Sequence, residues 1–150
     1  MFLFLEIIRN NYIERVRLLK LSIINSMRTN NFNDERIMQK ITELWKEASE
    51  RLTKNESITY GVYYEYESDY KGDYSLSVAI EDKNGETIID IPKNEKYEIY
   101  KVDSSKEQGI YNTWREIWDQ EETGSLKRAY SYDFEKYYSN GEVEIHIAIK

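Results

Sequence analysis

Residues 128–150, RAYSYDFEKYYSNGEVEIHIAIK, hold the side chains of this chain best placed to do chemistry. In an extended segment side chains alternate between faces, so Asp133, Glu135 and Tyr137 share one side and Tyr130, Tyr132 and Phe134 the other. Glu135 then leaves the strand with a ring beside it. A carboxylate in that position is either solvated or employed. If employed, its best partner is a lipophilic cation, which neutralises the acid while stacking an apolar body on tyrosine and tryptophan faces.

The remaining inventory removes most other chemistry. The chain has no cysteine and one histidine, which excludes a disulfide framework, thiol catalysis and a His/Cys zinc set, and implies no cofactor. His146 alternates with Ile145 and Ile147 and is expected at the surface. A net charge of −7 without a basic stripe argues against direct nucleic-acid binding. The opening MFLFLEII is interrupted by Glu6 and Arg9 well short of a membrane span, so no membrane role is expected; residues 1–11 read as an extra strand or a frayed terminus. These features together suggest a cytoplasmic protein, and 150 residues suit one domain with its own core. Fourteen tyrosines and three tryptophans exceed what such a core needs, and the surplus points to a ring-lined cavity.

Stepping outward from the acid, the pattern sets out the elements that must position it. Ile13 to Met27 reads as a first strand. Asn33 or Asp34 offers a helix cap ahead of Ile37, Ile41, Leu44, Trp45, Ala48 and Leu52 at helical spacing. Ile58 to Glu67 and Tyr74 to Ile80 read as strands, and Lys83-Asn84-Gly85 as a hairpin turn into Thr87 to Ile91, giving an antiparallel meander closed by Pro92. A strand over Tyr97 to Val102 precedes a second helix marked by Ile110, Trp114, Ile117 and Trp118. Arg128 to Tyr138 and Val143 to Ile149 then form a closing hairpin around Ser139-Asn140-Gly141. The order strand, helix, strand, strand thus occurs twice, with Leu44-Trp45-Lys46-Glu47 matching Thr113-Trp114-Arg115-Glu116 and Glu65 standing where Glu135 stands. The expected fold is α+β: a tandem strand-helix-strand-strand repeat with two helices on one face of an antiparallel sheet and a groove between them.

The sequence resembles the GyrI-like effector-binding domains, the ligand-sensing module of several multidrug-responsive transcription activators, and most of all their stand-alone integron-cassette branch. The residues that carry the likeness are Arg28-Thr29-Asn30-Asn31, Tyr60-Gly61-Val62-Tyr63, Gly72-Asp73-Tyr74, Trp114-Arg115-Glu116-Ile117-Trp118, Arg128, Tyr130, Asp133-Phe134-Glu135, Tyr137 and Val143 to Ile149. The resemblance implies a cavity for cationic, aromatic, drug-like molecules with Glu135 as its acidic determinant. Any transcriptional role would pass through a partner regulator. Where relatives usually carry a glycine near the end of strand one, this chain reads Ile23-Ile24-Asn25-Ser26.

Around Glu135 the candidate ligand-binding residues are Trp114, Tyr63, Tyr137, Trp118 and Glu65, with Tyr64 in reserve. Helical spacing equally allows Trp114 and Trp118 to be core, and a second acid such as Glu65 would repel the first unless the ligand were dicationic. The acidic run Asp119 to Glu122 reads as a solvated surface. Two other readings stay open: a small hydrolase using a Glu/Tyr pair, and a protein-interaction modulator, such as a gyrase inhibitor, that imitates nucleic-acid charge.

Overall fold

The computed structural model describes residues 18–52, 58–81, 87–92 and 94–150. Residues 1–17 and the Lys83-Asn84-Gly85 turn lie outside the described residues. The elements in chain order are β1 (Leu18–Thr29), α1 (Ile37–Arg51), β2 (Thr59–Tyr64), β3 (Tyr74–Ile80), β4 (Ile88–Pro92), β5 (Tyr97–Lys101), α2 (Gly109–Glu122), β6 (Asp133–Tyr137) and β7 (Val143–Ala148).

All neighbouring strands are antiparallel, in the order β4-β1-β3-β2-β6-β7-β5. Leaving β4 aside, this order is a palindrome: β1-β3-β2 of the first half meets β6-β7-β5 of the second. The tandem repeat is therefore the organising feature, and its halves join where β2 pairs with β6. The expected meander is corrected at one point. The chain leaving β3 does not fold back beside it, because β1 lies between β3 and β4 and pairs with both.

Both helices pack on one face of the curled sheet. Leu44 and Ala48 of α1 bury against Tyr74, Leu76 and Val78, and Trp114 and Ile117 of α2 bury with Ile145 and Ile147. The alternate residues Tyr60, Val62, Ala79 and Phe134 join Leu21, Ile89 and Ile91 in a separate cluster on the other face. That face takes in His146, which stacks on Phe134 with ring centroids 4.6 Å apart. It is mostly buried rather than a surface residue, and burial lowers its pKa despite the neighbouring Glu144 carboxylate.

Three local departures from the expected elements have visible causes. The cap position of α1 is Arg36, with no side-chain cap; Asp34 instead accepts from the Arg36 N–H at 3.0 Å and from Thr29 and Lys40. In β1 the register slips between Ile23 and Asn25, a bulge within the Ile23-Ile24-Asn25-Ser26 run. The side chain of Asn25 donates to the Leu44 carbonyl at 2.8 Å, while Arg51 donates to the Ile24 carbonyl at 2.7 Å, so the bulge ties α1 to the sheet. The last departure is that β2 and β6 are both shorter than expected. Glu65 and Tyr130 adopt left-handed backbone, with φ of 52° and 56°, which breaks the alternation just after β2 and just before β6.

The region before β6 is held by a buried ion pair. Asp133 is fully buried and accepts from Arg128 Nη2 at 2.7 Å, Tyr66 Oη at 2.6 Å and the Ala148 N–H at 2.7 Å. Arg128 lies over the Tyr130 ring, 4.4 Å from its centroid, and contacts Glu121 at 3.4 Å. The acidic run ending α2 is thus not merely a solvated surface, since Glu121 and Glu122 also accept from Tyr130 and Tyr70. Removing one side of a buried pair strands the other charge. Asp133→Asn is expected to lower stability by about 3–5 kcal/mol, measured as a drop in the urea midpoint; replacing Arg128 and Asp133 together by apolar residues should recover much of it.

Candidate functional site

The β2–β6 pair forms the floor of a groove whose walls are the two helices. Across this pair Gly61 stands directly opposite Glu135, and Tyr63 opposite Asp133. A Cβ on Gly61 would come within 3.1 Å of both Glu135 Oε1 and the Trp45 ring, closer than ordinary packing accepts. The glycine is needed there for room: its missing side chain lets the carboxylate and the indole share the space above β2.

Glu135 is buried, 3% exposed, and neutral donors hold it on three sides. Trp114 Nε1 donates to Oε2 at 2.7 Å and Tyr63 Oη to the same oxygen at 2.9 Å; Tyr137 Oη donates to Oε1 at 2.8 Å. Burial raises the pKa of the carboxyl above 4.5, and the three hydrogen bonds offset only part of that rise. Burial and the adjacent carboxylate push the phenols of Tyr63 and Tyr137 well above their ordinary range, so both remain donors. The donor rings also pack together. Tyr63 meets Trp114 edge-on at 4.9 Å, and Trp45 closes over Tyr137 at 5.0 Å.

This cage lies in a cavity of about 1090 Å3. Its lining brings together five of the six sequence candidates: Glu135, Trp114, Tyr63, Tyr137 and Trp118. Glu65 is not among them. It is exposed, and its left-handed backbone beyond the end of β2 takes it out of alternation with Tyr63; its carbonyl accepts from Arg28 at 2.8 Å. Tyr64 faces the other side of the sheet, stacked on Tyr132 and bonded to Ser77.

Sequence reasoning missed Trp45, Tyr66, Tyr70, Tyr74 and Phe32 as lining residues. Trp45 was accessible through its match to Trp114, and Tyr74 through its alternation with Leu76 and Val78. Tyr66 was hidden by the backbone reversal at Glu65. Phe32 and Tyr70 lie in loops where no period applies. They are placed by Asn30, whose side chain donates to the Lys71 carbonyl and Asp73 and accepts from the N–H groups of Phe32 and Asn33.

The chain matches, over residues 20–149, the model of a family described as integron-associated effector binding protein. Among solved structures it is similar to an integron cassette protein from the mobile metagenome of Vibrio cholerae, VCH_CASS2. The two share 28% sequence identity and a TM-score of 0.73 over 89% of this chain and 92% of that one. No curated protein sequence matches it significantly.

A raised carboxyl pKa means that the folded state binds this proton more tightly than the unfolded chain does. Its favourable contribution is complete below 4.5 and is lost as pH climbs through the raised value. Glu135→Gln is therefore expected to melt at a higher temperature than the empty parent protein at neutral pH, with the gap closing as pH falls toward 4.5. Differential scanning fluorimetry across pH measures this directly, and a gap that widens on acidification would have the wrong sign.

Proposed function

Because the chain belongs to the family of integron-associated effector-binding proteins, we propose that its cavity captures lipophilic cations of drug-like size, as a stand-alone ligand-sensing module. The observation that carries this reading is the state of Glu135. It is a desolvated carboxylate with no cationic hydrogen-bond partner among the described residues, surrounded by the rings of Tyr63, Trp114, Tyr137 and Trp45. The nearby base, Arg128, is committed to Asp133 and Glu121. A cation entering this cage gains Coulomb attraction at low dielectric and meets the faces of rings whose N–H or O–H groups donate to an anion. Its apolar body supplies affinity by burial against Ile37, Ile41, Ile110 and Trp118.

The same geometry weighs against the hydrolase reading. A general base needs a lone pair directed at a water or substrate proton, and protein donors take both acceptor directions of Glu135 Oε2 and one of the two on Oε1, in a carboxylate only 3% exposed. The gyrase-type reading, a surface that imitates nucleic-acid charge, leaves the cavity without a purpose. With a net charge of −7 disfavouring phosphate contact, we place the downstream step in a partner protein, a transcription regulator, and the whole in the cytoplasm. Among the described residues no helix is long and apolar enough to cross a membrane.

A cationic aromatic dye such as a rhodamine is expected to bind and to quench tryptophan fluorescence. Glu135→Gln should weaken that binding by about 2 kcal/mol or more, while affinity for a neutral dye of the same shape stays within error. Fluorescence titration reads both, and an unaltered dissociation constant for the cation would remove Glu135 from the site.

A further inference from the structure

An ionised carboxylate offers about four acceptor positions, two on each oxygen. At Glu135 three are taken: both on Oε2, by Trp114 and Tyr63, and one on Oε1, by Tyr137. The fourth, on Oε1, has no donor among the described residues. Water has little access to a group only 3% exposed, so an acceptor left over here is a lasting cost to the empty protein.

The surroundings of Oε1 say where that position lies. Oε1 is the oxygen beside Gly61, where a Cβ would come within 3.1 Å both of it and of the Trp45 ring edge. The next pair along the floor is Thr59 opposite Tyr137. Those two residues, with Trp45, Ala48 and Leu52 of the α1 side, line this end of the cavity, and none of them carries a charge.

The two tryptophans at matching places in the repeat are also held differently. Trp114 is fixed to Oε2 through its indole N–H. The indole N–H of Trp45 makes no hydrogen bond among the described residues, and its ring leans edge-on against Tyr137 at 5.0 Å. The free acceptor and the unanchored wall therefore lie on the same side of the acid.

We propose that the cavity prefers cations that carry an N–H, protonated amines over quaternary ammonium ions, and that this N–H is donated to Glu135 Oε1 beneath Trp45. The proposal rests on the cation reading of Glu135 and names the ligand class within it. A quaternary ion supplies the missing charge but leaves the fourth acceptor empty. A protonated tertiary amine supplies the charge and fills that position with a charge-assisted hydrogen bond. The extra methyl group of the quaternary ion buries more apolar surface, which narrows the difference but is worth less than such a bond.

The test is isothermal titration at neutral pH with N,N-dimethyl-1-naphthylmethylamine, which is protonated there, and with its N-methylated quaternary salt. The pair shares one ring and one charge and differs by a methyl group in place of a proton. The amine is expected to bind at least about fivefold tighter. Glu135→Gln should weaken both and abolish the difference: two donors converge on the Oε2 position, so the amide oxygen takes it, and the amide NH2 at the Oε1 position donates where the carboxylate accepted. The indole 1H–15N spectrum reads the side of approach, with the Trp45 signal, identified by its loss in Trp45→Phe, expected to shift when the amine binds. Equal affinities, or tighter binding of the quaternary salt, would overturn the N–H preference while the cation reading stands if both compounds still depend on Glu135. An amine preference that survives in Glu135→Gln would place the bond on another acceptor, and a Trp45 signal unmoved by the amine would place the head elsewhere; either overturns the proposal. Binding of neither compound would overturn the cation reading with it.

Discussion

Two acids two residues apart on the same face of β6 receive opposite treatment, and the architecture turns on that difference. Asp133 is given a guanidinium, a phenol and a backbone N–H, a complete set of partners within the fold. Glu135 is given three neutral donors and, among the described residues, no counter-ion. Hydrogen bonds lower the cost of holding a buried anion without cancelling it, and the raised pKa is what remains. An ion pair that closes on itself adds rigidity. On the proposed reading, an anion left short of one positive charge gives the site a preference for whatever supplies it.

The repeat makes such a site possible. Its halves join at β2 and β6, so the cavity floor is formed where one half ends and the other begins, and each half supplies a helix and a tryptophan as a wall. The two halves then diverge. The first places Gly61 where the second places the acid across from it, and Trp45 leans into the space this frees. Placing an acid on both sides would have set two anions against each other on the floor; placing glycine on both would have left a neutral slot. The asymmetry gives one charge enclosed by rings from both halves.

Much of this was legible in sequence because it is periodic. Alternation along 133–137 put Asp133, Glu135 and Tyr137 on one face, helical spacing marked the inner sides of α1 and α2, and the doubled element order gave the sheet its symmetry. The misses fall where a period breaks. Left-handed backbone at Glu65 and Tyr130 cannot be read from a Glu or a Tyr, since neither residue favours it, yet the reversal at Glu65 decides that Tyr66 enters the cavity while Glu65 leaves it. The insertion of β1 between β3 and β4 was hidden for a different reason: a turn sequence says that the chain reverses, and not which strand it will pair with on return. The acidic end of α2 looked solvated because Tyr70 comes from a loop 52 residues away and Arg128 and Tyr130 from the irregular segment after the helix, where no period shows which way a side chain turns.

The donors to Glu135 come from three elements: Tyr63 from β2, Tyr137 from β6 and Trp114 from α2. Two of these bonds lie within the paired strands of the floor, where the backbone ladder already fixes the distance. The third joins the floor to a helix. A cation beside Glu135 lessens the pull of the carboxylate on every donor, but only the Trp114 bond connects parts that can move relative to each other without breaking a ladder. On the proposed reading, ligand charge is felt first in the seating of α2 on β6, through an indole whose other neighbours, Tyr63 and Trp118, are themselves cavity walls. On the proposed reading, the group that selects the ligand also helps hold the helix that a partner protein would sense, and no separate relay between site and surface is required.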